Sequence, residues 1–294
     1  MERSAYLRRR LLAGGAAVLL GVAAPGASSG VTPPLRAIYP GAASVGDVRA
    51  GYYLKLLELA LQKSGAPFDL RPNGQIMVSP RVTSVIEADG AIDVTWGPST
   101  RELEQRLLPV RVPIDKGILG WRLLLIRSAQ RAAFAAVASR EQLRARAAGQ
   151  QRDWSDTAIL RANGLKVVAA TMYEPMFNML ATDRFQYFPR GVGEVWDEQA
   201  RHAALGLEVE RHLALHYPSV SYFFVGRHNR ALGQAIERGL RAAIRDGSFA
   251  ALFESCNGAA IARAQLSTRT VFELNNPLLS EAALAQWRDE APLR

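Results

Sequence analysis

Short apolar runs alternate with helix-spaced apolar positions along most of this 294-residue chain. The run "LRAIYP" at residues 35–40 predicts a strand, and "DVRAGYYLKLLELALQKSG" at residues 47–65 predicts an amphipathic helix that ends on glycine. Strands at residues 68–72, 91–97 and 120–127 follow, with a helix at residues 80–88. This alternation favours an α/β architecture with parallel sheets.

The alternation starts again beyond Ser128. It predicts helices near residues 140–148, 154–164, 174–184 and 195–205, and strands at residues 165–170 and 185–189. A strand at residues 221–227 and a helix at residues 231–247 precede some short helices. Two such series predict two α/β lobes joined by more than one chain crossing. We expect residues 31–127 with residues 221–294 to form lobe 1, and residues 128–220 to form lobe 2.

The first thirty residues have the pattern of an export signal. Arg3 and the run Arg8 to Arg10 precede an apolar stretch at residues 11–24 and the small-residue segment "APGASSG". We therefore predict a signal peptide at residues 1–30 and a periplasmic mature protein, exported by the Sec route or, given the Arg-Arg pair, by the twin-arginine route. The alternative is an uncleaved membrane anchor, although the stretch is short for a span.

Composition excludes several classes of function. With 49% hydrophobic residues the chain can form its core without cross-links, and the single Cys256 excludes an internal disulfide and a multi-cysteine zinc site. The four histidines form no HExxH, so we predict no metal and no cofactor. The net charge of +9 comes from scattered arginines, many spaced to pair with glutamates on helices, and nothing indicates a nucleic-acid partner.

Four segments together resemble a known family. "FFVGRHNRALGQAIERGLRAAIRDGSFAALF" at residues 223–253 is similar to the C-terminal strand and helix of the amino-acid-type periplasmic solute-binding proteins, family 3. Residues 91–126, 154–168 and 179–198 fall where that family places its other ligand-binding and crossover segments. The resemblance implies a type II periplasmic-binding fold, with two Rossmann-like lobes that close on a small solute. It also implies a monomeric, non-enzymatic receptor that delivers its solute to the membrane subunits of an ABC importer.

Strand ends nominate the ligand-contacting residues, because ligands of open α/β sheets bind at the carboxyl ends of strands. Tyr39, Trp96 and Tyr173 follow or end predicted strands. The Trp96 indole, directly before Gly97 and Pro98, can stack on a planar solute or form a half-buried wall. Tyr39 can do the same or simply precede a turn.

Polar residues beside these strand ends have two interpretations each. The resemblance implies an arginine near Arg101 that holds a ligand carboxylate, whereas the alternative is an exposed arginine at a helix start. Ser99 and Thr100 can cap that helix or donate hydroxyl hydrogen bonds to the ligand. Trp154 is a lobe-closing contact or a core residue, and Asp156 is expected mainly as a helix cap beside an anion-binding helix start.

Arg190 follows the aromatic run "FQYFP". It lies at or beside the position where the resembled family places an acid against the ligand ammonium group. An arginine there would repel an ammonium and favour a negative group, so we expect an electropositive cleft and an anionic solute. The alternative is a salt bridge between Arg190 and Glu194.

Two other classes of function remain open. One is an enzyme evolved on the same fold, for example a dehydratase that acts on a cyclic acid. It would need a general acid or base, and Glu194 is the carboxylate we nominate. The other is a ligand sensor that acts with a separate membrane signalling protein.

Overall fold

The computed structural model describes residues 33–41, 51–75 and 77–290. The expected signal peptide at residues 1–30 lies outside the described residues. Within the described part of the chain, no helix combines the length and the apolar composition needed to cross a membrane.

The described residues form an alternating series of strands and helices. The strands are β1 (Leu35–Tyr39), β2 (Phe68–Pro72), β3 (Val94–Pro98), β4 (Leu108–Val110), β5 (Trp121–Arg127), β6 (Ala147–Gln151), β7 (Lys166–Ala170), β8 (Tyr187–Gly191), β9 (Leu207–Val209), β10 (Leu213–His216), β11 (Ser221–Val225) and β12 (Thr270–Glu273). The helices are α1 (Gly51–Lys63), α2 (Ser79–Glu87), α3 (Arg101–Arg106), α4 (Arg131–Ala135), α5 (Arg140–Arg144), α6 (Ser155–Ala162), α7 (Pro175–Ala181), α8 (Val195–Arg201), α9 (Arg230–Arg245), α10 (Ser248–Ala264) and α11 (Glu281–Glu290).

The first lobe contains two small sheets, β1–β2 and β3–β11–β4. Strand β11 is buried on both faces, and its side chains alternate between two cores, as a strand's geometry requires. Phe223 and Val225 pack with α1 and α9, while Tyr222 and Phe224 pack with α2 and α11. The β3–β11–β4 sheet is therefore covered by helices on both sides.

The second lobe is built on one larger sheet of order β12–β10–β5–β8–β6–β7, with β9 also paired to β5. Strand β5 lies inside this sheet and is buried on both faces. Its Leu123 and Leu125 enter one core, and Leu124 and Ile126 enter another on the opposite face. This double burial explains the unbroken apolar run "LLLI", which is typical of a central strand.

The lobe boundary differs from the one expected from the sequence. Strand β5 was expected to close lobe 1, but it pairs antiparallel with β8 in the larger sheet. Strand β12, also expected in lobe 1, pairs parallel with β10. The chain therefore crosses between the lobes before Trp121 rather than after Arg127, because an apolar strand buried on both faces needs partners on both edges and cores on both sides.

The crossings lie close together. Residues 111–120 lead from β4 to β5, residues 217–220 lead from β10 to β11, and α10 extends from the first core at Phe249 to the second at Phe253. The buried Asp115 links the first crossing to the start of β11, directly after the second crossing. Its carboxylate accepts hydrogen bonds from the Ser221 hydroxyl at 2.6 Å and from the Gly117 amide at 3.1 Å. Burial raises the pKa of Asp115, and these hydrogen bonds offset part of that rise.

Candidate functional site: a cleft between the two lobes

A cleft of about 840 Å³ has walls from both lobes. Its first-lobe wall includes Trp96, Thr100 and Arg101. Its second-lobe wall includes residues after β6 and β8 and residues at the start of β5. Because β5 runs antiparallel to β8, the start of β5 lies at the edge of the sheet where β8 ends. The cleft thus lies at the strand ends where a doubly wound sheet binds its ligand.

Trp96 forms an aromatic wall on the first-lobe side. Its ring lies nearly parallel to that of Tyr53, with centroids 6.3 Å apart, and meets the ring of Phe223 edge-on at 6.4 Å. The next residue, Gly97, has a φ of 152°, which a residue with a side chain rarely adopts. Tyr39 packs against Trp96 at 6.1 Å. Trp96 therefore contacts the cleft directly, and Tyr39 supports it from behind.

The polar residues after β3 mainly organise the protein. The buried Ser99 hydroxyl donates to Glu104 Oε1 at 2.6 Å, and Thr100 Oγ1 caps α3 by accepting from the Leu103 amide at 3.1 Å. Arg101 borders the cleft, but its Nη1 donates to the Leu279 carbonyl at 2.7 Å. Its Nη2 donates to the Pro277 carbonyl. In this conformation the C-terminal segment thus holds both terminal nitrogens of Arg101, and its role as a carboxylate ligand stays a prediction.

On the second-lobe side, Trp154 lies directly before α6. Its ring stacks on Phe188 with an interplanar angle of 12° and lies 5.8 Å from the ring of Tyr173. The guanidinium carbon of Arg190 is 4.6 Å from the centre of the Trp154 ring. Trp154 is therefore both a cleft residue and the aromatic cover over Arg190, and its role as a lobe-closing contact stays a prediction.

Arg190 occupies a buried ionic network. Its Nε and Nη2 donate to the two carboxylate oxygens of Glu198 at 2.7 Å and 2.6 Å, and Nη2 also donates to Glu194 Oε2 at 2.6 Å. The Tyr173 hydroxyl donates to Glu198 Oε1 at 2.5 Å, and burial raises the pKa of that tyrosine. Burial alone lowers the pKa of Arg190, but the charges of Glu198 and Glu194 outweigh it and hold this pKa well above its ordinary value. Arg190 is thus compensated from within the protein.

A second buried pair lies in the same wall and was missed from the sequence. Arg122 Nε lies 2.8 Å from Asp156 Oδ1, and Nε also donates to the Tyr217 hydroxyl at 2.7 Å. Tyr217 in turn donates to Asp156. Burial alone lowers the pKa of Arg122, but Asp156 and Tyr217 outweigh it and raise this pKa. Asp156 is a counterion rather than the expected helix cap, because the residue at the cap position is Trp154.

The sequence contains a signal for this missed pair. Arg122 begins an apolar strand, as Arg190 ends one, and a charge at such a place needs a buried partner. The partners Glu198, Asp156 and Tyr217 come from other segments, so no local spacing reveals them.

Charged residues of both signs line the cleft. The lining arginines are Arg101, Arg106, Arg122, Arg152, Arg161 and Arg190. The lining carboxylates are Glu102, Asp153, Asp156 and Glu194. The formal charge of the lining is therefore positive, although the buried pairs cancel much of it. Arg152 and Arg161, beside and on α6, carry their charge at exposed positions.

Comparisons with known proteins give a match at the level of structure. No protein-family model matches the sequence, and a search of curated proteins finds no match. The chain is similar to an ancestral arginine-binding protein bound to glutamine, with a TM-score of 0.59, 15% identity and coverage of 77% of this chain and 100% of that one.

Two further solved structures are similar. One is a Salmonella typhimurium periplasmic binding protein with high arginine specificity, at a TM-score of 0.58, 14% identity and coverage of 76% of this chain and 100% of that one. The other is a histidine kinase sensor domain with similarity to periplasmic binding proteins, at a TM-score of 0.57, 14% identity and coverage of 76% and 97%. Two α/β lobes around a cleft, together with these likenesses, identify the fold of this chain as that of the type II periplasmic binding proteins.

Proposed function

We propose that this protein is an extracytoplasmic receptor that captures a small polar solute between two closing lobes. The observation that carries the proposal is the cleft of about 840 Å³, whose volume is in the range of small-molecule sites and whose walls come from both lobes. A solute in this cleft contacts Trp96 on one side and Trp154 on the other. Binding energy is then available to hold the lobes together.

The proposed solute has a net negative charge, as acidic amino acids and carboxylic acids have at neutral pH. The positive formal charge of the lining supports this, but the acting cations differ from those expected from the sequence. Arg190 and Arg101 are held by protein groups, whereas Arg152 and Arg161 are exposed on the cleft wall. We assign anion attraction to Arg152 and Arg161, and positioning of Glu194 to Arg190.

Closure follows from the short crossings. The crossing at residues 217–220 is four residues long, so a small change in its backbone and in that of residues 111–120 can rotate one lobe against the other. We propose that each lobe moves as one body. In this proposal β5 and β12 move with the second lobe, because both strands belong to its larger sheet. The receptor acts in the periplasm as a monomer and delivers its solute to an ABC importer.

A sensor role is the second candidate, favoured by the likeness to the kinase sensor domain. In that role the closed lobes would report the solute to a membrane signalling protein instead of delivering it. The enzyme alternative receives less support, because the Glu194 carboxylate is bound to Arg190 at 2.6 Å and is poorly placed to exchange protons with a substrate.

Native mass spectrometry of the protein purified from its own host tests the proposal. We expect a co-purifying small molecule of one mass, with an anionic group, that is released unchanged on denaturation. A released molecule that is converted to a product by fresh protein would favour the enzyme. Protein that carries no small molecule, and that binds neither amino acids nor carboxylic acids in calorimetry, would contradict the receptor.

A further inference from the structure

A second cavity, of about 790 Å³, lies behind the cleft. Strands β5 and β10 separate the two spaces, with Trp121 paired to His216 across them. Trp121 and His216 line the second cavity, while the next residues along the chain, Arg122 and Tyr217, belong to the charged group at the cleft. Because neighbouring side chains of an extended chain point to opposite faces, this rear cavity is separate from the solute cleft.

The rear cavity has aromatic and aliphatic walls. The Trp121 and His216 rings stack with centroids 4.2 Å apart and an interplanar angle of 28°, and Trp287 lies 6.0 Å from His216. Ile261 and Leu266 complete the apolar surface. Flat aromatic faces of this kind favour a planar aromatic molecule, which gains both apolar burial and ring stacking.

The polar groups of the rear cavity narrow the choice of ligand. Glu273 accepts a hydrogen bond from His216 Nδ1 at 2.7 Å, and its side chain is 67% exposed, so its carboxylate can accept another from a ligand N–H. Arg269 is nearly buried and donates to the carbonyls of Ala264 and Leu213 at 2.6 Å and 2.9 Å. Its charge is thus directed at the protein. The exposed Arg288 and Glu273 also line the cavity and carry opposite charges, so the lining suits an uncharged ligand better than an anion.

We propose that the rear cavity is a second binding site, for a small uncharged heteroaromatic molecule whose ring N–H donates to Glu273. Its volume is in the range of small-molecule sites, and apolar walls with few polar groups are typical of them. Trp287 belongs to α11 on the first lobe, whereas Leu266 and Glu273 belong to the second. The site is therefore formed by both lobes.

Indole is the test probe, because it is planar and uncharged and has a ring N–H. The chain has five tryptophans, so protein labelled with ¹⁵N at the tryptophan side chains gives few signals, assignable by single Trp→Phe variants. We expect indole to shift the Trp121 and Trp287 signals saturably and to leave those of Trp96 and Trp154 in place. Shifts only at Trp96 and Trp154, or no saturable shift, would overturn the proposal.

Two substitutions on α10 form a matched pair. Ala262 lines the rear cavity and is exposed, so Ala262→Phe fills it, whereas Ala259 is exposed on the same helix outside the lining. We expect Ala262→Phe to weaken indole binding at least tenfold and Ala259→Phe to leave it unchanged, with both variants melting like the wild type. Equal binding by the two variants would overturn the proposal. The proposal would also be overturned if indole bound only to a variant truncated after Glu290. That result would make residues 291–294 the natural occupant of the rear cavity.

Discussion

The guanidinium of Arg190 binds both carboxylate oxygens of Glu198, with its Nε at 2.7 Å from one and its Nη2 at 2.6 Å from the other. Both side chains are buried, and a second carboxylate, that of Glu194, lies 2.6 Å from the same Nη2. This relationship answers what an arginine does at the end of a buried aromatic strand. It holds the carboxylate of Glu194, which lines the cleft, and that of the buried Glu198, and these two carboxylates compensate its charge.

Glu198→Gln should destabilise the protein by about 3 kcal/mol, because removal of one partner from a buried pair leaves a poorly compensated charge. The remaining contact to Glu194 keeps the loss at the lower end of the usual range. Urea unfolding measures this change. As a control, Glu237→Gln breaks the exposed pair between Arg241 and Glu237 and should cost less than about 1 kcal/mol. If the two variants lost similar amounts of unfolding free energy, burial of the Arg190–Glu198 pair would have no energetic consequence.

Arg152→Ala should lower the affinity for the co-purified solute about tenfold at low salt, since an exposed cation at the cleft attracts an anion through water. The loss should shrink as salt is added. Calorimetry on Arg152→Ala and on the control Arg245→Ala, which removes an exposed arginine of α9, measures the difference. Tight binding of an ordinary neutral amino acid such as L-glutamine, with no effect of Arg152→Ala, would contradict the anionic solute.

Asp115 should make the protein less stable as pH rises. Burial raises its folded pKa above the ordinary value of 3.8, so the folded state holds this proton more tightly than the unfolded state. Its contribution is fully present below pH 3.8 and is lost as pH rises through the folded pKa. Asp115→Asn removes the titrating group. The free energy of unfolding, measured with guanidinium between about pH 4 and about pH 7, should therefore fall less steeply with pH in this variant than in the wild type. An unchanged slope would exclude Asp115 as the source of the fall.

Helices α1 and α9 approach so closely that Gly239 has no room for a side chain. A Cβ there would lie 1.7 Å from the Ala60 carbonyl oxygen, which is backbone and cannot rotate away. Gly239→Ala should therefore cost about 3 kcal/mol or more of stability, at the upper end of overpacking effects. Gly51→Ala, where a Cβ meets nothing within 4 Å, is the control for chemical denaturation. A Gly239→Ala protein as stable as this control would refute the close approach.

The elements predicted best from the sequence are those whose apolar positions have a clear period. The pattern predicted strands at residues 35–40 and 68–72, and β1 and β2 lie at Leu35–Tyr39 and Phe68–Pro72. It failed at residues 140–148, where the alanine-rich run suggested one helix but α5 ends at Arg144 and β6 begins at Ala147. Tertiary pairing with β7 decides this strand, and Gly149 leaves the space that Phe185 fills. Neither effect is visible in a local pattern.

The last part of the chain was also predicted poorly. Short helices were expected there, but α10 spans Ser248–Ala264 and β12 at Thr270–Glu273 joins the larger sheet. The placement of a strand beside β10 depends on long-range pairing, which the alternation of apolar and polar residues does not encode.

Five of the residues predicted to contact the ligand lie at one cleft. Trp96, Thr100, Arg101, Trp154 and Arg190 all border the cleft, because strand ends locate a site in this fold. The cap formed by Thr100 and the pair of Arg190 with Glu194 were among the alternatives read from the sequence. The contacts of Arg101 with Leu279 and of Arg122 with Asp156 could not be predicted, since they form only through the tertiary structure.

Small-angle X-ray scattering with and without the co-purified solute tests the central claim most directly. If the protein is a receptor that closes on its solute, the radius of gyration at saturating solute should be smaller than that of the same protein after the solute is removed. The reduction should be lost when the Trp96 and Trp154 side chains on the two cleft walls are both replaced by alanine. Identical scattering profiles for the wild type at saturation and without solute would contradict capture by lobe closure.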